Sequence, residues 1–74
     1  MEFSLLVASE ARRDYVLKQL EKLGKQIERI TQVSWIFSKK FIIVINVRDL
    51  VEARSICELV GCDFDTLKLN FSEC

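Results

Sequence analysis

The chain has 74 residues, with eleven basic and eleven acidic side chains, no histidine and no proline. Half of the residues are hydrophobic, which is too apolar for a disordered chain, and the length allows one small domain over residues 1–74. The absence of histidine excludes Cys/His zinc sites and every catalytic triad built on histidine.

The three cysteines are Cys57, Cys62 and Cys74. Their odd number and the lack of a secretory leader predict reduced thiols and a cytoplasmic location. Cys57 is expected to act as a small buried hydrophobe in a helix. The longest apolar run, residues 41–45, is far shorter than the ~20 residues of a spanning helix, so no membrane partner is expected.

The first part of the chain predicts a strand followed by a helix. Residues 2–8 alternate between two faces, as a strand with one buried side does. Ser9 has the character of an N-cap for a helix from Glu10 to about Leu23. Gly24 stands where a left-handed residue would end that helix.

From Ile27 to Val47 the hydrophobic period changes to two, which predicts a pair of strands. Ser38, Lys39 and Lys40 interrupt the pattern and are interpreted as the hairpin turn. The segment after them is rich in β-branched residues, as a central strand should be.

A second helix and a last strand complete the pattern. Asp49 and Glu52 form a predicted capping box, and Gly61 ends the helix. Residues 66–71 alternate cleanly and predict a one-sided edge strand, with a bend near Asp65.

The order β-α-β-β-α-β predicts an α+β fold, namely a ferredoxin-like sandwich with a four-stranded antiparallel sheet and two helices on one face. A four-stranded sheet of other topology, or a strand exchanged between two copies, is the alternative. In topology the pattern resembles RNA-recognition motifs, regulatory domains of the ACT kind and copper-chaperone domains. Their motifs are absent, since strand 3 has no outward aromatic side chain and the first loop has no Cys-x-x-Cys.

Side-chain parity divides the sheet into a helix-facing side and an open side. The helix-facing side is expected to hold Phe3, Leu5, Val7, Val33, Trp35, Phe37, Ile43, Ile45, Leu67, Leu69 and Phe71. The open side would then carry Leu6, Ile36, Ile42 and Val44, an apolar patch with a polar surround. The sequence therefore predicts a small non-enzymatic interaction or regulatory domain, a homodimer or a module for a protein partner. A viral or host inhibitor would have the same features.

A basic end offers a second hypothesis, a nucleic-acid-binding domain. The predicted topology brings Arg12 and Arg13 near Lys39 and Lys40, beside the N-terminus of the first helix. Charge is uneven along the chain, at +4 over residues 1–48 and −4 over the remainder. That asymmetry favours docking to a partner over wrapping a polyanion, so nucleic acid is the alternative partner.

Catalytic chemistry has little support in the sequence. Asp63 and Asp65 could hold a divalent cation together, and a metal-dependent hydrolase is kept only as a minor alternative. No nucleophile elbow or phosphate-binding loop is present, so no catalytic residue, metal or cofactor is predicted.

Overall fold

A computed structural model describes residues 1–74, with the side chain of Trp35 outside the described part. The chain forms four strands and two helices, which confirms the α+β class. In chain order the elements are β1 (Glu2–Val7), α1 (Glu10–Lys22), β2 (Ile27–Trp35), β3 (Ser38–Asn46), α2 (Leu50–Val60) and β4 (Phe71–Glu73).

The four strands form one mixed sheet in the order β2-β3-β1-β4. β3 is antiparallel to both of its neighbours, and β4 is parallel to β1. The prediction of an all-antiparallel, ferredoxin-like sheet is therefore wrong in the direction of the last strand. That strand has three residues, and residues 66–70, expected to form most of it, lie in turns.

The reversal of β4 has identifiable local causes. The Asp65 carboxylate accepts a hydrogen bond from the amide of Leu67 at 2.9 Å, and the Asp65 carbonyl accepts one from the amide of Lys68 at 3.1 Å. An aspartate that bonds its own backbone two residues on makes a turn instead of a strand. Asn70 then adopts a left-handed backbone with φ 53°, and only after it does the chain join β1.

Both helices cover the same side of the sheet, and the core lies between them and β1 and β3. On β1 and β3 the buried face contains Phe3, Leu5, Val7, Phe41, Ile43 and Ile45. From the helices it receives Val16, Leu20, Ala53, Ile56, Cys57 and Val60. These positions follow the predicted periods of two and 3.6, so the main core was foreseeable from the sequence.

The helix ends are as predicted, except that the Glu52 carboxylate accepts hydrogen bonds from Lys25 and Arg48 instead of reaching back to Asp49. Ser9 accepts a hydrogen bond from the amide of Arg12, and Asp49 accepts one from the amide of Glu52. Gly24 and Gly61 follow the two helices with φ of 71° and 77°, which glycine adopts without steric cost.

The cysteines differ from the prediction of three reduced thiols. Cys62 and Cys74 form a disulfide, which fastens the end of α2 to the end of β4. Disulfides persist in oxidising compartments, so the cysteines no longer support the predicted cytoplasmic location. Cys57 is the free cysteine and is buried in α2, as predicted. Burial raises the pKa of its thiol, and a hydrogen bond to Ser72 at 3.4 Å partly opposes that shift.

Candidate functional site: the open face of the sheet

The face turned away from the helices is defined by the strand register. Leu6 of β1 lies opposite Ile42 of β3, and Ser4 lies opposite Val44. Both pairs alternate with the buried core positions and therefore occupy the open face. Three of the four predicted contact residues, Leu6, Ile42 and Val44, thus share this surface.

Ile36, the fourth predicted contact residue, is not on the sheet. The hairpin turn falls at residues 36–37 instead of at the predicted residues 38–40, because β3 begins at Ser38. Ile36 is 80% exposed at this turn, and Phe37, predicted to face the helices, is 98% exposed. The prediction for the Trp35 side chain lies outside the described residues.

Two further apolar side chains join the open face, contrary to their predicted positions. Val33 pairs with Lys40, which shares a face with Ile42, and Phe71 pairs with Ser4. Both had been assigned to the helix side. A bulge between Ile27 and Arg29 shifts the parity of β2, which explains the error for Val33. Phe71 was misassigned because residues 66–70 lie in turns, so their alternation does not continue into β4, where Ser72 is the buried residue.

Leu67 and Leu69, also predicted to face the helices, are almost fully exposed in the turns before β4. Their alternation had suggested a strand, but no strand forms there. Phe64 packs against the core instead, with its ring stacked on Phe3 at a centroid distance of 6.2 Å.

An ion pair crosses one end of the open face, where β1 begins. The Arg29 guanidinium of β2 donates two hydrogen bonds, each of 3.0 Å, to the Glu2 carboxylate of β1. Because β3 lies between those strands, the pair passes over it near Val44, the register partner of Arg29. Val44 is only 3% exposed, so this part of the predicted platform is covered by the chain itself.

The same ion pair shifts the protonation equilibria of its members. The hydrogen bonds from Arg29, followed by its charge, lower the pKa of Glu2. The Glu2 carboxylate raises the pKa of Arg29 for the same reasons. Both groups therefore stay charged over the neutral range, with the guanidinium in a bidentate geometry.

The rest of the open face remains accessible to solvent. Leu6, Ile42 and Phe71 are half-buried and Val33 is exposed, and we call these four residues the open patch. Lys68 lies at its β4 edge, 5.8 Å from the Phe71 ring centroid and 3.2 Å from the Glu73 carboxylate. The patch thus has an apolar centre with charged and hydroxyl-bearing neighbours, as protein interfaces do.

The four residues of the predicted basic end serve different purposes. Arg12 donates hydrogen bonds to the carbonyls of Val60 and Gly61, at 3.3 and 2.8 Å, and so caps the C-terminus of α2. Arg13 pairs with Asp14 and lies over the Phe41 ring at 4.5 Å. The prediction that both arginines are available to an anion is weakened by these contacts.

Lys39 and Lys40 of the predicted basic end lie in the β2–β3 hairpin, and both are exposed. They are successive residues of β3 and therefore point to opposite faces of the hairpin. Only Lys40 shares a face with the open patch.

Of the predicted pair of metal ligands, Asp65 has its carboxylate engaged in the fold, because it accepts a hydrogen bond from the amide of Leu67. Asp63 takes part through its backbone, whose amide donates a 2.8 Å hydrogen bond to the carbonyl of Glu73. Among the side chains that the structure describes, no group of three or more potential ligands is arranged to hold a metal ion.

Comparison with known proteins adds no assignment. No protein-family model, no curated protein and no solved structure matches the chain. Within the described residues, neither helix is long and apolar enough to cross a membrane.

Proposed function

We propose that this chain is a small non-enzymatic interaction domain that binds a second copy of itself through the open patch. The observation that carries the proposal is the position of Leu6 and Ile42. They are neighbouring aliphatic side chains on the central strands, on the face that no helix covers. Covering them with a partner removes apolar surface from water, which is the dominant favourable term in association.

A two-fold pair is the simplest occupant of this surface. In such a dimer the same patch is used on both copies, so one apolar centre serves both sides of the interface. A standard interface buries about 800 Å² per partner, which is roughly a sixth of the 4997 Å² surface of this chain. The open patch has one residue on each of the four strands, so a partner bound to it would contact the full width of the sheet. A different protein bound to the same patch is the alternative outcome of the test.

The Arg29–Glu2 pair sets one boundary of the surface that a second copy can contact. It covers Val44 and places a fixed pair of opposite charges at one end of the patch. Charge pairs at the rim of an apolar centre contribute more to orientation than to affinity.

Sedimentation equilibrium at micromolar concentration tests the proposal. Ile42→Glu places a carboxylate in the patch and should weaken self-association by about tenfold or more. Leu59→Glu is the matched control, because Leu59 is an exposed leucine on α2, on the helical side of the molecule. Thermal melting establishes that both variants are folded.

Thr31→Arg provides a second variant that does not disturb the core. Thr31 is exposed and lies opposite Ile42 on the same face. The proposal expects this variant to weaken the dimer as well. A wild-type chain that stays monomeric, or a dimer that both Ile42→Glu and Thr31→Arg leave intact, would contradict it. A wild-type monomer that binds another protein in a manner sensitive to these variants would replace the second copy with that partner.

A further inference from the structure

The β2–β3 hairpin extends beyond the rest of the sheet. The last pair between β1 and β3 joins Val7 to Phe41, whereas the ladder of β2 with β3 continues to Ser38. The three residues 38–40 therefore project about 10 Å past the end of β1. Every described side chain from residue 34 to residue 40 is exposed, so this part of the hairpin is a free arm.

The apex of this arm is apolar. Ile36 and Phe37 are adjacent, 80% and 98% exposed, and their side chains are not covered by the core. Turns usually contain polar residues, and exposed apolar side chains that lie together often mark an interaction site. We refer to residues 36–40 as the hairpin tip.

The charges of the hairpin tip are all positive. Lys39 and Lys40 follow the apex directly, and the chain contains no acidic residue from position 29 to position 48. Among the described side chains, neither lysine forms a salt bridge. The two lysines are successive strand residues and point to opposite faces of the arm, so each face carries one positive charge next to the apex.

A second exposed apolar segment shows why the hairpin tip is distinctive. Leu67 and Leu69 are also almost fully exposed, but the lysine between them is paired with Glu73. That segment is fixed by the Asp65 turn and offers no unpaired cation. Of these two segments, the hairpin tip is the one that combines an apolar apex with unneutralised positive charge.

We infer that the hairpin tip is a peripheral anchor for a bilayer surface that contains anionic lipids. Ile36 and Phe37 enter the boundary between headgroups and acyl chains, and Lys39 and Lys40 remain at the level of the anionic headgroups. Apolar insertion combined with electrostatic attraction is the way in which interfacial segments bind, and one short segment gives weak, reversible binding. This mode requires no spanning helix and is independent of the open patch.

A single-stranded nucleic acid fits the tip less well. Such ligands are held by several aromatic side chains on which successive bases stack, and the described side chains of the tip offer the single ring of Phe37.

Co-sedimentation of the full chain with lipid vesicles tests the inference. One vesicle preparation contains phosphatidylcholine alone, and the other also contains phosphatidylserine. The wild-type chain should sediment with the anionic vesicles and remain in solution with the neutral ones, and binding should weaken as salt is added. Replacing Lys39 and Lys40 with alanine should weaken binding by about fivefold for each lysine.

Phe37→Ser should reduce the affinity by about tenfold, because the ring supplies much of the inserted apolar area. Its 98% exposure means that the folded state loses little packing. Leu67→Ser is the matched control, since Leu67 is 92% exposed at the other edge of the sheet. It should bind vesicles as the wild type does. Ile42→Glu should also bind normally, which separates this inference from the proposed dimer.

Three results would overturn the inference. One is the absence of any binding to anionic vesicles at low salt. Another is an equal loss of binding in Leu67→Ser and Phe37→Ser. The third is retention of the chain on a single-stranded oligonucleotide without vesicle binding, which would assign the lysines to nucleic acid instead.

Discussion

The two edges of the sheet are built in opposite ways. The β4 edge is three residues long, and a disulfide between Cys62 and Cys74 closes it. The β2 edge is nine residues long, has no covalent restraint, and continues into the free hairpin tip. Exposed edges invite pairing with other chains, and short or covered edges prevent it. The β2 edge is therefore the one at which we expect any strand-to-strand pairing with another chain.

The restraints on the two edges also differ in chemistry. The β4 edge depends on a covalent bond, supported by an isolated bridge between Asp63 and Glu73. The β2 edge is joined to β1 over the open face by the Arg29–Glu2 ion pair. A reductant should therefore affect one edge, and acid should affect the other.

The largest expected effect is the loss of the disulfide. Replacing Cys62 and Cys74 with serine opens a loop with a sequence separation of 12 residues, which corresponds to about 3 kcal/mol of unfolding free energy in the chain-entropy account. Urea denaturation measures the loss. Amide exchange should rise at Asp63 and at the serine in position 74 and change little in β2.

The wild-type chain treated with dithiothreitol is the matched comparison for the double serine variant. It should lose a similar amount of stability, and the variant itself should not respond to the reductant. If reduction leaves both stability and exchange at the β4 edge unchanged, the covalent restraint is unimportant and the contrast between the edges fails.

A smaller effect is expected from alanine at the two glycines that lead into the edges. Gly24 precedes β2 and Gly61 precedes the β4 segment, and both have positive φ, so alanine should cost about 1 kcal/mol at each. At Gly61 the added Cβ would lie 2.8 Å from the Arg12 guanidinium, whereas at Gly24 it meets no atom within 4 Å. Gly61→Ala should therefore cost about 1 kcal/mol more, through the displaced hydrogen bonds of Arg12.

Urea denaturation of both alanine variants, each also made in an Arg12→Met background, checks this difference. In that background the two substitutions should become equal in cost. A Gly24→Ala variant as destabilised as Gly61→Ala in the presence of Arg12 would show that Arg12 does not distinguish the two positions.

The smallest effect is a dependence of stability on acid. The pKa of Glu2 is lowered below 4.5 by hydrogen bonds from Arg29, and that of Glu52 is lowered by hydrogen bonds from Lys25 and then Arg48. A folded-state pKa below the unfolded value means that the unfolded chain binds more protons in acid. The stabilisation is therefore complete above about pH 4.5 and is lost as the pH falls through the folded-state values.

Urea midpoints measured from neutral pH into acid should fall in this window. Glu2→Gln should reduce the acid sensitivity, and amide exchange in β2 should then respond less to pH. The Glu2–Arg29 pair is solvent-exposed, so its share of the change is modest and should decrease with added salt. Equal acid sensitivity in wild type and Glu2→Gln would indicate that the ion pair does not restrain the β2 edge.

Local rules predicted much of this fold from the sequence. The helices start after Ser9 and Asp49 and stop before Gly24 and Gly61, as predicted. These positions were predictable because each cap depends on a few neighbouring residues. The strand and helix periods also gave the core between the helices and the two central strands. Leu6 and Ile42 were assigned to the open face because β1 and β3 are regular.

The remaining features depend on contacts that periodicity does not encode. The bulge after Ile27 shifts the register of β2, and no residue type there signals it in advance. The pairing of Cys62 with Cys74 depends on how the C-terminal segment turns back. Alternating leucines suggested a strand over residues 66–71, but the hydrogen bonds of Asp65 form a turn there. Val44 is covered by an ion pair between β1 and β2, and this contact joins residues that are far apart in the sequence.

The most direct test of the central claim is a dilution series observed by methyl NMR. The claim is that the open patch is covered by a second chain, so the methyl signals of Leu6 and Ile42 should shift with protein concentration. The methyl signals of Val51 and Leu59, exposed on α2, should stay constant over the same series. Concentration-dependent shifts confined to α2, or no shifts at Leu6 and Ile42, would contradict the account.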